Sequence, residues 1–153
     1  MNAKILFAFV AALNVGLTFL NVPPALKPLM VLYDVSYTGI SVLLSALMWS
    51  HALMQVPAGL VADRLGMRRA LRVAMAILVV GNLLPAAGPF LALAVLGRVV
   101  TGIGTGLTFV SLMKLIALHA PGGRMGAYQA FFAGLFSFGN ILAYSLIPEL
   151  LAF

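Results

Sequence analysis

The sequence has 153 residues, of which 63% are hydrophobic and 8% charged, and its mean hydropathy is +1.15. Soluble domains are about one quarter charged, so this composition excludes an ordinary soluble domain and predicts an all-α, polytopic membrane protein. The net charge of +6 does not indicate a nucleic-acid partner, because the basic residues lie between apolar segments and do not alternate with aromatic ones.

Taken in chain order, the uncharged stretches predict about five membrane spans, since roughly 20 apolar residues cross the hydrocarbon core. Their bounds are residues 5–22, 38–60, 73–87, 90–113 and 125–147. The first stretch is longer than the apolar region of a signal peptide, about 7 to 15 residues, so we expect a retained helix. Pro85, Gly88 and Pro89 favour a turn between the third and fourth spans. Without a turn the two spans would form one helix of about 60 Å, which is about twice the thickness of the hydrocarbon core.

The distribution of basic residues predicts the orientation of these spans, because Lys and Arg in short loops stay on the cytoplasmic side. One side carries Lys4, Arg64, Arg68, Arg69, Arg72, Lys114 and Arg124, whereas the other carries Lys27. We therefore expect an inner or plasma membrane location, a cytoplasmic amino terminus and a carboxyl terminus on the outer side. A sixth span would be needed to return the chain to the cytoplasm, so residues 1–153 are predicted to be one incomplete transmembrane domain.

The first two spans contain polar candidates. Asn14 and Asn21 are two turns apart on one predicted helix face, where they would line a cavity or join helices. His51, Gln55 and Gly59 recur at spacings of four and share a face of the second span. We consider two roles for His51, a proton relay near neutral pH and a hydrogen bond to a neighbouring helix.

The segment 59–69, between the second and third spans, is predicted to be a cytoplasmic loop. It reads Gly-Leu-Val-Ala-Asp-Arg-Leu-Gly-Met-Arg-Arg and resembles the major facilitator motif G-x-L-a-D-r-x-G-r-r, with Val61 replacing the usual Leu. The resemblance implies an amino-terminal six-helix bundle and an intracellular latch that controls alternation between inward-open and outward-open states. The implied latch residues are Gly59, Asp63, Arg64, Gly66, Arg68 and Arg69. In that family the latch acid meets the carboxyl-terminal half, so we expect the partner of Asp63 to be missing from this chain.

The fourth span contains Arg98-Val-Val-Thr-Gly-Ile-Gly104, which is similar to the family pattern R-x-x-x-G-x-G. An arginine near a helix centre costs about 2.5–3.5 kcal/mol on insertion scales, so it should face a cavity or a partner unless it snorkels to the outer surface. Thr101, Thr105 and Thr108 follow Arg98 at spacings of three and four and predict a polar, cavity-facing stripe. Each threonine alone is more often structural. Gly102, Gly104 and Gly106 are predicted to serve close helix packing.

The fifth span reads Gly134-Leu-Phe-Ser-Phe-Gly139-Asn140 and departs from the family's antiporter pattern G-x-x-x-G-P-x-x-G-G. The proline and both trailing glycines are absent, so drug/proton antiport is not supported. The three acids, Asp34, Asp63 and Glu149, lie outside the middle of the spans. Arg98 therefore lacks a carboxylate partner here, and we consider an anionic solute or an acid in the missing half as its partner.

The resemblance implies transport of a small solute by alternating access, with the site near the bilayer midplane. We expect this chain to require the missing carboxyl-terminal half and to be unable to transport alone. The alternative is a small oligomeric channel or a membrane assembly protein. An enzyme is disfavoured because neither a G-x-S-x-G nor an H-E-x-x-H motif is present. No cofactor and no metal site are expected, and the absence of cysteine excludes disulfides.

Overall fold

The computed structural model describes residues 3–151, and within this range the regular structure is helical. The α-helices are α1 (Ala3–Phe19), α2 (Leu26–Tyr33), α3 (Tyr37–Leu65), α4 (Met67–Leu83), α5 (Leu91–His119) and α6 (Met125–Leu151). Two short 3₁₀ helices, Pro23–Ala25 and Leu84–Ala87, precede α2 and follow α4.

Five helical segments of the described range are long and apolar enough to cross a bilayer, which confirms the predicted number of spans. They are Ala3–Tyr33, Tyr37–Leu65, Met67–Ala87, Leu91–His119 and Met125–Leu151. Several of them extend past the uncharged stretches from which the spans were predicted. A helix continues into the headgroup region, where charged side chains are solvated, so a run of uncharged residues marks only its hydrocarbon-crossing part.

Helix α5 lies at the centre of the bundle. In its most apolar window 61% of residues are buried, against 17% in α3 and in α6, and it contacts α1, α3, α4 and α6. On one side α5 packs against α1 and α6, through Leu112 and Ile116 of α5 and Phe132 of α6. On another side α5 packs through Leu107 against a row of alanines, Ala58, Ala62, Ala70 and Ala74, from α3 and α4. Small side chains allow these backbones to approach closely.

The chain does not form the loop predicted for residues 59–69. Helix α3 continues through Leu65 and α4 begins at Met67, so that Gly66 alone separates them. Gly66 has a φ of +73°, a conformation that costs glycine little and other residues more. One glycine is therefore enough to end α3 and start α4, and Asp63 and Arg64 lie on the last turn of α3.

Helix α1 ends earlier than the predicted first span. It stops at Phe19, and the next regular element is the 3₁₀ helix that contains Pro23 and Pro24. Proline has no backbone N–H to donate and restricts the residue before it, which disfavours continuation of the helix. Asn21 consequently lies beyond α1, and the prediction that it shares a helix face with Asn14 is wrong.

Candidate functional site

A histidine of α3 is held between two polar side chains near the middle of the bundle. His51 Nδ1 lies 3.0 Å from Thr105 Oγ1 of α5, and His51 Nε2 lies 2.8 Å from the amide nitrogen of Gln55, one turn further along α3. Thr105 Oγ1 in turn donates to the carbonyl oxygen of Gly102 at 3.0 Å. Since the threonine proton is used there, the threonine oxygen accepts from the ring N–H of His51. The ring therefore links α3 to α5.

Aromatic rings from three further positions surround this histidine. The ring centroid of His51 lies 5.0 Å from that of Phe19 in α1 and 6.1 Å from that of Phe109 in α5, both edge to face. Phe136 of α6 lies 5.6 Å from Phe19 and 6.0 Å from Phe109. All four rings and the Gln55 side chain are partly exposed. We call His51, Gln55, Thr105, Phe19, Phe109 and Phe136 the central cluster; it joins four of the five spans.

The threonines of the fourth span do not line a cavity in this structure. Thr101, Thr105 and Thr108 are at most 1% exposed. Thr101 packs against Gly81 of α4, and Thr108 donates to the carbonyl oxygen of Gly104 at 2.8 Å. The prediction of an open polar stripe overlooked that α5 is enclosed by α3 and α4, so the hydroxyls of Thr105 and Thr108 bond to carbonyl oxygens of their own helix. Only Thr105 reaches a side chain of the central cluster.

Arg98 finds a neutral partner. Its Nη2 donates to Asn21 Oδ1 at 2.7 Å, which joins α5 to the segment between α1 and α2. The guanidinium is partly buried, and within residues 3–151 no carboxylate forms an ion pair with it. The amide oxygen satisfies one of five guanidinium N–H groups and leaves the charge unpaired. Sequence analysis identified both residues but not their contact, which depends on where α1 ends.

The glycines of α5 lie against neighbouring helices. A Cβ at Gly102 would overlap the Ser50 side chain and the Leu47 carbonyl oxygen of α3, and one at Gly106 would lie 2.8 Å from Met54 Cβ. Gly104 faces α4 instead, where its Cβ would lie 2.9 Å from Leu78 Cγ. Alternating glycines thus bring α5 close to α3 on one face and to α4 on another.

One end of the bundle carries most of the basic residues and is here called the basic end; its charged residues are Lys4, Asp63, Arg64, Arg68, Arg69, Arg72, Lys114 and Arg124. There Lys114 of α5 forms an ion pair with Asp63 of α3 at 2.7 Å, and also donates to the carbonyl oxygen of Gly59 at 3.1 Å. Asp63 therefore has an ion-pair partner within this chain, which the sequence analysis did not predict; the expected latch contact with a carboxyl-terminal half stays a prediction. The spacing pattern could not reveal this pair, because its members are 51 residues apart. Arg64, Arg68 and Arg69 are exposed.

A second contact at the basic end joins α1 to α5. Lys4 Nζ lies 2.9 Å from His119 Nε2, and His119 Nδ1 lies 3.0 Å from the carbonyl oxygen of Leu115. A carbonyl oxygen can only accept, so Nδ1 carries the proton and Nε2 accepts from the lysine. Sequence analysis did not identify His119 as a contact residue.

Asn14 lies apart from the central cluster. It is exposed and lines a groove of about 590 Å³ between α1 and α4, together with Thr18, Asn82 and apolar side chains. Around the opposite face of α1, Gly16 packs directly on the backbone of α6 at Phe136 and Gly139. The residues predicted to line one cavity thus lie in three places. Asn14 lines a groove, the threonines of α5 are buried at helix contacts, and Arg98 pairs with Asn21.

Comparison with known proteins gives consistent matches. The sequence model described as Major Facilitator Superfamily matches residues 5–153. Myo-inositol transporter 2 of Schizosaccharomyces pombe is 32% identical over 102 residues, covering 67% of this chain and 18% of that protein. D-xylose-proton symporter-like 1 of Arabidopsis thaliana is 30% identical over 102 residues, covering 65% of this chain and 20% of that protein. The matched region is about one fifth of the length of these relatives.

Proposed function

The chain belongs to the major facilitator superfamily, and from this premise we propose that it contributes the amino-terminal spans of a transporter for a small, neutral, polyhydroxylated solute. The family match over residues 5–153 supports the transporter assignment, and the two relatives named above support the solute class. The transporter would work by alternating access, in which two helix bundles rock around a solute site near the bilayer midplane. No enzymatic step is part of this function.

The solute class follows from the relatives and from the chemistry of the central cluster. The matched relatives bear the names of a myo-inositol transporter and of a D-xylose–proton symporter-like protein. In this chain the amide nitrogen of Gln55 bonds to the His51 ring and, at 3.4 Å, to the His51 carbonyl oxygen. Its amide oxygen remains as an acceptor for a solute hydroxyl, and the rings around it offer apolar faces. Solute sites commonly combine a few placed polar groups with aromatic walls, which suits a molecule with hydroxyls on a carbon ring.

An anionic solute is the second candidate, and Arg98 supports it. The guanidinium is held by the neutral Asn21 and has four further N–H groups to offer. If the solute is an anion, Arg98→Ala should abolish its uptake while Asn21→Ala should only weaken it. Unchanged anion uptake by Arg98→Ala would eliminate this candidate.

We propose that the protein resides in the inner or plasma membrane. Its basic end would face the cytoplasm, and the end near Lys27 would face outward. The excess of Lys and Arg at one end supports this orientation. The latch residues Gly59, Asp63, Arg64, Gly66, Arg68 and Arg69 would then face the cytoplasm. Because this chain has no cysteine, a single cysteine at Arg68 or Lys27 can be labelled from either side to test the orientation.

The proposal is tested by uptake into proteoliposomes. The complete transporter that carries these spans should accumulate radiolabelled myo-inositol or D-xylose, and the unlabelled form of the same solute should compete. We expect the 153-residue chain alone to show no uptake, because the solute site would be shared with the carboxyl-terminal half. Uptake by the chain alone would contradict the division into two halves and support the small oligomeric channel.

A further inference from the structure

We propose that His51 is a proton-binding residue of the transport cycle and that Gln55 is the residue that accommodates both of its protonation states. This inference rests on the proposed function, since it assigns the transporter a proton as co-substrate. It is carried by the hydrogen-bond arrangement around the ring and by the position of the ring where four spans meet.

The arrangement specifies one neutral tautomer. Thr105 Oγ1 donates to the Gly102 carbonyl oxygen, so it can only accept from His51, and Nδ1 carries the proton. Nε2 then holds the lone pair, which accepts from the Gln55 amide nitrogen at 2.8 Å. Each ring nitrogen therefore has a matched partner when His51 is neutral.

The same arrangement accommodates the charged ring after one small movement. A proton taken up from water at Nε2 turns that nitrogen into a donor, and rotation of the Gln55 amide by about 180° presents its oxygen as the acceptor. This rotation gives up the long 3.4 Å contact of the Gln55 amide nitrogen with the His51 carbonyl oxygen. Thr105 still accepts from Nδ1–H, so neither state leaves a ring nitrogen without a partner. Release of the proton to water reverses both changes. A purely structural histidine needs a partner in only one state, whereas this pair serves both.

Within residues 3–151, the side chains that contact the His51 ring from neighbouring helices are not titratable near neutral pH. Helix α1 presents Phe19 to the ring and α5 presents Thr105 and Phe109, while Phe136 of α6 packs behind them.

The other charged or titratable groups are distant. Arg98 is two turns from Thr105 on α5 and is bonded to Asn21. The arginines of α4, Arg68, Arg69 and Arg72, lie at the basic end with Asp63, and Lys27 and Tyr33 lie in α2 at the opposite end. Asp63 is three turns from His51, about 18 Å along α3. Within the described residues, His51 is thus the titratable group placed at the centre of the spans.

Transport measurements give the first test. The complete transporter is reconstituted in proteoliposomes with an imposed pH gradient, and accumulation of labelled myo-inositol and D-xylose is compared with counterflow, which needs no net proton movement. We expect His51→Gln to reduce gradient-driven accumulation at least tenfold while counterflow remains. The matched control is His119→Gln, which changes the other histidine of this chain and should leave accumulation intact. Accumulation by His51→Gln at the unsubstituted level would overturn the proposal.

The second test does not depend on the solute. Nitrogen-15 NMR of the histidine rings in the same protein, with His51→Gln used to assign the signal, should show the Nδ1–H tautomer of His51 at high pH and reversible protonation as the pH falls. Gln55→Leu, which removes the amide, should weaken protonation. An Nε2–H tautomer, or a ring that never protonates between pH 5 and 9, would refute the inference. If neither sugar is transported but His51 titrates as described, the proposed solute class fails and the proton site stands.

Discussion

Helices α3 and α5 are joined by a polar side-chain contact at two levels, one at the centre of the bundle and one at the basic end. The lengths are similar, 3.0 Å for His51–Thr105 and 2.7 Å for Asp63–Lys114. Their surroundings differ, because Thr105 is fully buried whereas the side chains of Lys114 and Asp63 are 36% and 70% exposed. Similar geometry therefore carries different energies, since water competes more strongly for the outer pair than for the inner one, whose acceptor Thr105 is buried.

This difference would suit the proposed alternating access, in which helices move around a fixed centre. At the centre, glycines keep α5 against α3 and α4, and a partly buried hydrogen bond joins α5 to α3. At the basic end, an exposed ion pair contributes about 0.2–1 kcal/mol and can exchange partners at little cost. The two levels can be perturbed separately, and four experiments rank their contributions.

The largest effect is expected from Gly102→Ala at the centre. The added methyl group would overlap the Ser50 side chain and the Leu47 carbonyl oxygen, and overpacking of this kind costs about 1–3 kcal/mol. Thermal unfolding in detergent, followed by helical circular dichroism, should show a lower midpoint. Gly134→Ala in α6 is the matched control, because its Cβ would meet nothing within 4 Å; equal midpoints would mean that α5 does not pack on α3 as described.

The second effect concerns the hydrogen bond of the central cluster. Thr105→Val removes the acceptor of His51 Nδ1–H, and hydrogen bonds between membrane helices are worth about 0.6 kcal/mol on average and up to about 1.7 kcal/mol. Thr108→Val is an equally buried control that loses only a bond to its own helix. Chemical unfolding should rank Thr105→Val as the more destabilising of the two. The reverse order would argue against an interhelical role for Thr105.

A smaller effect is expected at the basic end. Asp63→Asn and Lys114→Gln, measured alone and together, form a double-mutant cycle for the ion pair. We expect a coupling free energy below about 1 kcal/mol that decreases as salt is added, because exposed charges are screened. A coupling above that of the Thr105 bond, or one insensitive to salt, would contradict the ranking of the two levels.

The smallest effect on stability is expected from Gly59→Ala, also near the basic end. No atom lies within 4 Å of a Cβ built there, and alanine favours a helix over glycine by about 0.5–1 kcal/mol, so the unfolding midpoint should be unchanged or slightly raised. Transport by the complete protein is the sharper readout. If Gly59 contacts the other half as part of the latch, Gly59→Ala should slow transport without loss of stability.

Much of the architecture could be predicted from local sequence. Uncharged stretches indicated five spans because burying backbone and charge in lipid is costly, and the motif at residues 59–69 identified the family. Local sequence failed where two distant segments meet. The pair between Asp63 and Lys114 was not predicted, because its members are 51 residues apart. A local feature was also missed, since the motif was expected to form a loop and one glycine with positive φ sufficed to join α3 to α4.

In the candidate site, too, some features follow from local sequence and others from the contacts between helices. Sequence alone determined the helical class, the number of spans and the polar residues available within them, because these follow from hydropathy and spacing along one chain. Only the tertiary structure decided that Thr101 and Thr108 are enclosed, that Arg98 meets Asn21, and that His51 stands between Thr105 and Gln55. These outcomes depend on which face of α5 each neighbouring helix covers, and close packing between helices, which no single helix specifies, sets that choice.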